Sequence, residues 1–178
     1  LFVYFGSFGL LCYDHEGKEI WKKRIPSPKS LYGTSSSPIA YEDLLILVTD
    51  DDANLPNSRV SRSRLLAIHK KDGSTAWERA RPFHRSGWST PTIWKHSEGK
   101  ELVVLGNGSL RGYSLPDGEG KWQVDGFSRE TIARPMVQND LVFASGSKLG
   151  GSTDLNSDPA PFWKAVISFD VNGDDRLE

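Results

Sequence analysis

An internal repeat constrains this chain more than any other feature. Three segments share the form strand, glycine turn, tryptophan: Leu10–Trp21, Leu65–Trp77 and Leu110–Trp122. In each, a turn glycine (Gly17, Gly73 or Gly118) stands four residues before the tryptophan, and the tryptophans are 56 and 45 residues apart. A second landmark keeps step with the first. Pro38, Pro91 and Pro135, spaced 53 and 44 residues, each lead into a β-rich run: Leu44–Val48, Leu102–Leu105 and Leu141–Ala144. Because both spacings stretch together, the extra length of the second unit falls largely in one loop, between Asp50 and Arg64. Units of this kind cannot bury an apolar face alone and stack on their neighbours.

Each complete unit reads as four short strands. The second is predicted at Pro38–Tyr41, Leu44–Thr49, Arg64–His69 and Ser74–Arg79. The third is predicted at Pro91–Lys95, Leu102–Asn107, Leu110–Leu115 and Gly120–Val124. Asp-Gly pairs and the run Gly106-Asn107-Gly108-Ser109 supply the positive φ that tight hairpins demand. Four-stranded units of about 45 residues have the size of a β-propeller blade. The first unit lacks its opening strand. The expected fold is therefore all-β, a propeller fragment of about three and a half blades over residues 1–146. The exposed edges of such a fragment are expected to favour self-association.

The charge balance narrows function. Twenty-two basic and twenty-three acidic residues give a net charge of −1, without the basic excess of a nucleic-acid footprint. One cysteine, Cys12, allows no internal disulfide and no paired-thiol site. The densest apolar stretch, Leu1–Tyr13, is too short to span a membrane. No serine elbow, phosphate loop or Cys/His metal cluster supplies an independent argument for catalysis.

The strand, polar turn, Gly, Trp pattern resembles the pyrroloquinoline-quinone-like propeller repeat. Quinoprotein alcohol dehydrogenases carry it, as do the propeller lipoproteins of the outer-membrane assembly machinery. The resemblance implies that Trp21, Trp77 and Trp122 dock between neighbouring blades, where a flat indole buries a large area and its N–H reaches a backbone carbonyl. It also implies a periplasmic or extracellular setting. In the dehydrogenases the quinone sits on the central axis with Ca²⁺, a catalytic Asp and often adjacent cysteines. Here there are no adjacent cysteines and no residue matches that Asp, so the quinone is not expected. The expected function is a non-catalytic scaffold for an unidentified protein partner. The alternative is part of a quinone- and calcium-dependent dehydrogenase, which the sequence of a complete ring would distinguish.

After Leu141–Ala144 the repeat breaks. Residues 147–158 read as a Gly/Ser/Asp-rich linker, and residues 159–178 have two readings. In one, Ala165–Phe169 is the third strand of a fourth blade, because Phe169-Asp170-Val171-Asn172-Gly173 is similar to Tyr13-Asp14-His15-Glu16-Gly17. In the other, apolar residues at 162, 165, 166 and 169 form a helix face, capped by Asp158, that enters an EF-hand. Asp170, Asn172 and Asp174 then stand at loop positions one, three and five, Arg176 offers a carbonyl at seven, and Glu178 stands at nine. Asp175 replaces the usual glycine at six, and position twelve would be residue 181, so calcium is expected to bind weakly.

Two further groups are singled out. Asp50-Asp51-Asp52 with Asn54 could hold a cation in the long loop, but no spacing rule is met, and the group reads as a solvated acidic loop with local charge pairing to Arg59, Arg62 and Arg64. His84, Arg85 and Trp88 precede an inner strand; blade packing is their default reading, and they are also the candidate contact patch on the loop surface.

Overall fold

A computed structural model describes residues 1–53, 62–128, 131–146 and 160–167. Two units separate in the chain, Leu1–Lys148 and Leu149–Glu178. The first consists of consecutive antiparallel sheets. Strands β1 (Phe2–Phe5), β2 (Gly9–Tyr13) and β3 (Glu19–Arg24) form a three-stranded sheet that begins without an inner strand. Strands β4 (Ile39–Tyr41), β5 (Leu44–Thr49), β6 (Arg64–His69) and β7 (Thr75–Ala80) form a complete blade. So do β8 (Thr92–His96), β9 (Gly99–Gly106), β10 (Ser109–Ser114) and β11 (Gly120–Asp125). A hairpin of β12 (Met136–Gln138) and β13 (Leu141–Phe143) opens a fourth. The strands predicted for the second and third units are found: β5 and β6 have the expected ends, and the others shift by one to three residues.

Burial explains the strand sequences. The run Leu45-Ile46-Leu47-Val48 in β5 is buried throughout, because this strand has a blade on either side. Its alternation divides it. Leu45 and Leu47 join Leu10, Trp21, Leu66 and Ile68 between the first two blades. Ile46 and Val48 join Leu65, Leu102, Val104 and Leu115 between the second and third. One period-two strand thus feeds two cores. The outer strands β3, β7 and β11 are largely exposed, and their tryptophans turn inward.

The repeat extends to local irregularity. Trp21, Trp77 and Trp122 stand opposite Cys12, Ala67 and Gly112, all small, and each pairing has a register shift immediately after that residue. The bulge tilts the outer strand and gives the indole room. Between β9 and β10, Asn107 and Gly108 both take positive φ (48° and 82°), as the Asn-Gly pair predicted.

In the second unit, residues Ala160–Ile167 form a helix, α1. A helix therefore occupies the start of the segment that one sequence reading assigned to a blade strand. The calcium-loop residues Asp170, Asn172, Asp174, Arg176 and Glu178 lie outside the described residues, and so does the linker up to 158.

Candidate functional site

The connections from each outer strand to the next blade's inner strand all emerge on one face of the first unit, a consequence of four-stranded antiparallel blades. Hydrogen bonds stitch these loops in series. Trp88 Nε1 donates to Gly33 O (2.9 Å), Ser35 Oγ to Trp88 O (3.1 Å), and the Ser37 amide to Thr90 Oγ1 (3.1 Å). One blade further on, the Trp88 amide donates to Thr131 O (3.0 Å) and Ser89 Oγ to Ala133 O (2.8 Å). Partners are 53–55 residues apart in the first set and 43–44 in the second, so the belt follows the blade period.

Beneath this belt lies a buried polar network. Arg81, just after β7, makes a bidentate pair with Asp50, just after β5, at 2.8 and 3.0 Å, and Arg81 Nη1 donates to Tyr113 Oη at 2.6 Å. Their side chains are 1% and 3% exposed. The Asp51 amide donates to Ser63 Oγ (2.8 Å), while the Asp51 carboxylate pairs with Arg62 (3.0 Å). Asp52 accepts from the Ser86 amide (2.9 Å) and Ser86 Oγ (2.7 Å), with Arg85 at 3.4 Å. The three aspartates are therefore not a solvated loop. They are buried, and they tie the loop after β5 to the loop after β7 and to the third blade. The expected pairing with Arg62 is present, Arg64 pairs instead with Glu78 (2.9 Å), and Arg59 lies outside the described residues. Burial pushes the Asp50 carboxyl above the usual carboxylate range, against the pull of Arg81.

The candidate contact patch follows its default reading at two of three positions. His84 and Trp88 are buried, at 2% and 8% exposure, and belong to blade packing. Only Arg85 remains partly open, 32% at the side chain. Burial, with Arg81 nearby, lowers the His84 pKa to about 3, and its Nδ1 lies 3.1 Å from Pro82 O. His84 is a neutral structural group here.

The surface of this face is apolar instead. Leu31, Tyr32, Phe83 and Ile132, from three successive connections, are 74%, 67%, 53% and 72% exposed. Phe83 is also strained: its φ is 65°, a left-handed conformation that bulky residues avoid, and Asn107 Nδ2 holds its carbonyl at 2.8 Å. Residue type gave no warning of this in the sequence. The signal that could have found it is position, an aromatic between Arg81-Pro82 and His84-Arg85 in a loop that otherwise folds inward.

The docking tryptophans behave as the resemblance implied in two cases. Trp21 Nε1 donates to Lys70 O (2.9 Å) and Trp77 Nε1 to Leu115 O (3.1 Å), each on the following blade. Trp122 differs. It folds over Gly112 of its own blade, and its Nε1 donates to Glu101 Oε2 (2.5 Å).

A family model described as outer membrane protein assembly factor BamB matches residues 1–175, beyond the repeat's break at Gly146. No curated protein matches the chain. Sheets, inter-blade tryptophans and family model agree, and the chain belongs to the family of the outer membrane protein assembly factor BamB, built of pyrroloquinoline-quinone-like β-propeller repeats.

Proposed function

We propose that this protein is a rigid, non-catalytic scaffold that offers the loop face of its blades to a protein partner in an extracytoplasmic, outer-membrane-associated setting. The observation that carries this is the row Leu31, Tyr32, Phe83, Ile132, exposed on three stitched loops, with Phe83 held in a strained conformation. Exposed apolar side chains on a rigid base are what an interface anchor requires, since little side-chain or loop entropy remains to be lost on binding. The polar groups below support the same reading. Asp50, Asp51, Asp52, Arg81 and Ser86 are engaged with one another and with their loops, a structural rather than a catalytic use. The family's printed name, an assembly factor, supports a role exercised through protein contact.

The test is site-specific photocrosslinking in native cells, with the reactive group at 83 or 132 and, as control, at Ile20 on the outer strand β3. A discrete adduct from the loop positions, absent from the control, with the adduct at 132 lost on Phe83→Ser, supports the reading. Equal adducts at all three positions would refute it.

A calcium-ordered segment is the second part of the proposal. Helix α1 at Ala160–Ile167 supports it, since an EF-hand needs a helix entering at Asp170. Calorimetric calcium titration should give saturable binding that Asp170→Ala removes. Heat that Asp170→Ala leaves unchanged would reject it.

A further inference from the structure

The crevice between the first two blades carries an imbalance of charge. Along β3 and the residue after it, Trp21, Lys23 and Ile25 alternate onto one face, and Trp21 and Ile25 are buried there against the second blade. Lys23 points into the same crevice, where a cavity of about 400 Å³ has Ile25 and Leu66 on its apolar side. Lys23, Arg24, Arg62 and Arg64 also line it, against the carboxylates of Asp51 and Glu78, an excess of two positive charges. Arg62 pairs with Asp51 (3.0 Å) and reaches Ser27 O (3.4 Å), and Arg64 pairs with Glu78 (2.9 Å). Arg24 is stacked on Phe8, 4.1 Å from the ring centroid, a contact that engages the face of the guanidinium and not its N–H edge. Lys23 and Arg24 are thus the cations left over: neither has an ion pair among the described residues.

The repeat shows what Lys23 lacks. Arg79 stands two residues after Trp77, as Lys23 does after Trp21. Arg79 Nε donates to Asp117 O (2.6 Å), on the turn before Gly118, and its guanidinium lies 4.0 Å from the Asp117 carboxylate. The corresponding residue before Gly73 is Asp72, whose Oδ1 accepts instead from the Ser74 amide (2.9 Å) and Ser74 Oγ (2.6 Å). Lys23 is left to the cavity. Residues 54–61, which precede Arg62, contain no Asp or Glu, so that segment has no carboxylate to bring to it.

We propose that this cavity is a binding site for a phosphate monoester, the group whose charge of about −1.5 to −2 at neutral pH matches the excess. Lys23 and Arg24 donate to the phosphate oxygens in charge-assisted hydrogen bonds. Arg64 adds to them, because its half-exposed pair with Glu78 is of the kind that exchanges partners at little cost. Ile25 and Leu66 take the short carbon stem of the ester. A monocarboxylate would neutralise half of the excess, and a dicarboxylate would divide its charge between two groups instead of one. The site uses none of Leu31, Tyr32, Phe83 and Ile132, so the inference does not rest on the loop-face reading.

Two arms test it: calorimetric titration with sn-glycerol 3-phosphate in a phosphate-free buffer of low ionic strength, and cosedimentation with phosphatidylcholine vesicles, with and without phosphatidic acid. The expected result is saturable binding of one phosphate ester per chain, weaker by about fivefold or more in Lys23→Gln and kept in Lys23→Arg. Succinate should bind more weakly than the ester. Lys23→Gln should leave the melting temperature unchanged, which separates loss of the site from loss of the fold. Binding of the soluble ester without Lys23-dependent vesicle binding supports the site and names a soluble ester as its source. Vesicle binding that needs both phosphatidic acid and Lys23, and that glycerol phosphate displaces, supports it with a lipid headgroup as the source. Absence of binding in both arms at millimolar ester would overturn the inference. So would equal affinity of Lys23→Gln and the unaltered chain, or of succinate and the ester.

Discussion

Replacing Arg81 by methionine should cost this protein a large part of its stability. The guanidinium and the Asp50 carboxylate are 1% and 3% exposed and bidentate at 2.8 and 3.0 Å. Methionine fills much of the same volume but leaves Asp50 buried without its counter-ion, a loss of about 3–5 kcal/mol for pairs of this kind. For a domain near this size, that corresponds to a fall in Tm of roughly 6–20 °C. The loss should depend on pH with a definite sign. Burial already raises the Asp50 carboxyl, and removing Arg81 raises it further. A raised folded-state pKa favours folding below the unfolded value and loses that contribution as pH rises through the folded one. The variant should therefore be more destabilised at pH 8 than at pH 5. Asp50→Asn combined with Arg81→Met should cost clearly less than the two single changes added together, since no charge is left stranded. Urea unfolding of the four proteins at both pH values is the assay. A single-variant loss below about 1 kcal/mol, or additivity in the cycle, would mean that the pair behaves as an exposed one and does not hold the blades together.

Three further outcomes follow from the same geometry. With His84 depressed to about 3 from an ordinary value of 6.5, the unfolded chain binds its proton first, so stability should fall as pH drops from about 6.5 towards 3, by at most ~1.4 kcal/mol per pH unit from this group; His84→Gln should flatten that limb of a urea-midpoint profile. Gly73→Ala should destabilise more than Gly17→Ala: both have positive φ, 73° and 82°, costing about 1–2 kcal/mol each, but only at Gly73 does the new methyl strike Trp21. Equal losses in chemical denaturation would remove the docking term. Phe83→Asn should hold or raise stability by up to about 1 kcal/mol, because asparagine accepts the left-handed conformation; the same change should abolish the crosslinked adduct, separating the cost of the strain from its use.

The fold was legible because the repeat acts at every level. Leu44–Thr49 and Arg64–His69 could be placed to the residue, since a continuous apolar run bounded by polar residues has one way to sit between two blades. The Gly-to-Trp spacing exposed the repeat, and the resemblance it carries implied the docking seen at Trp21 and Trp77, but not the different seat of Trp122. The site was harder to read for a related reason. Three consecutive aspartates ordinarily mean a solvated loop, and their burial depends on Arg81, 31 residues away from Asp50. Linear spacing carries no trace of such a pair when the partners sit at the ends of non-adjacent strands in one blade. His84 and Trp88 have the composition of a binding patch, yet their loop folds inward and leaves Phe83 outside.

Tryptophan docking, the loop belt and the Asp50–Arg81 pair should make the blades of the first unit open as one rigid body. Native-state hydrogen exchange under increasing urea tests it directly. Amides of β2, β5, β6, β9 and β10 should converge on a single opening free energy with one urea dependence, as in one cooperative unit. Separate isotherms for the first, second and third blades would contradict the account, since the blades would then open independently and offer a partner no rigid face.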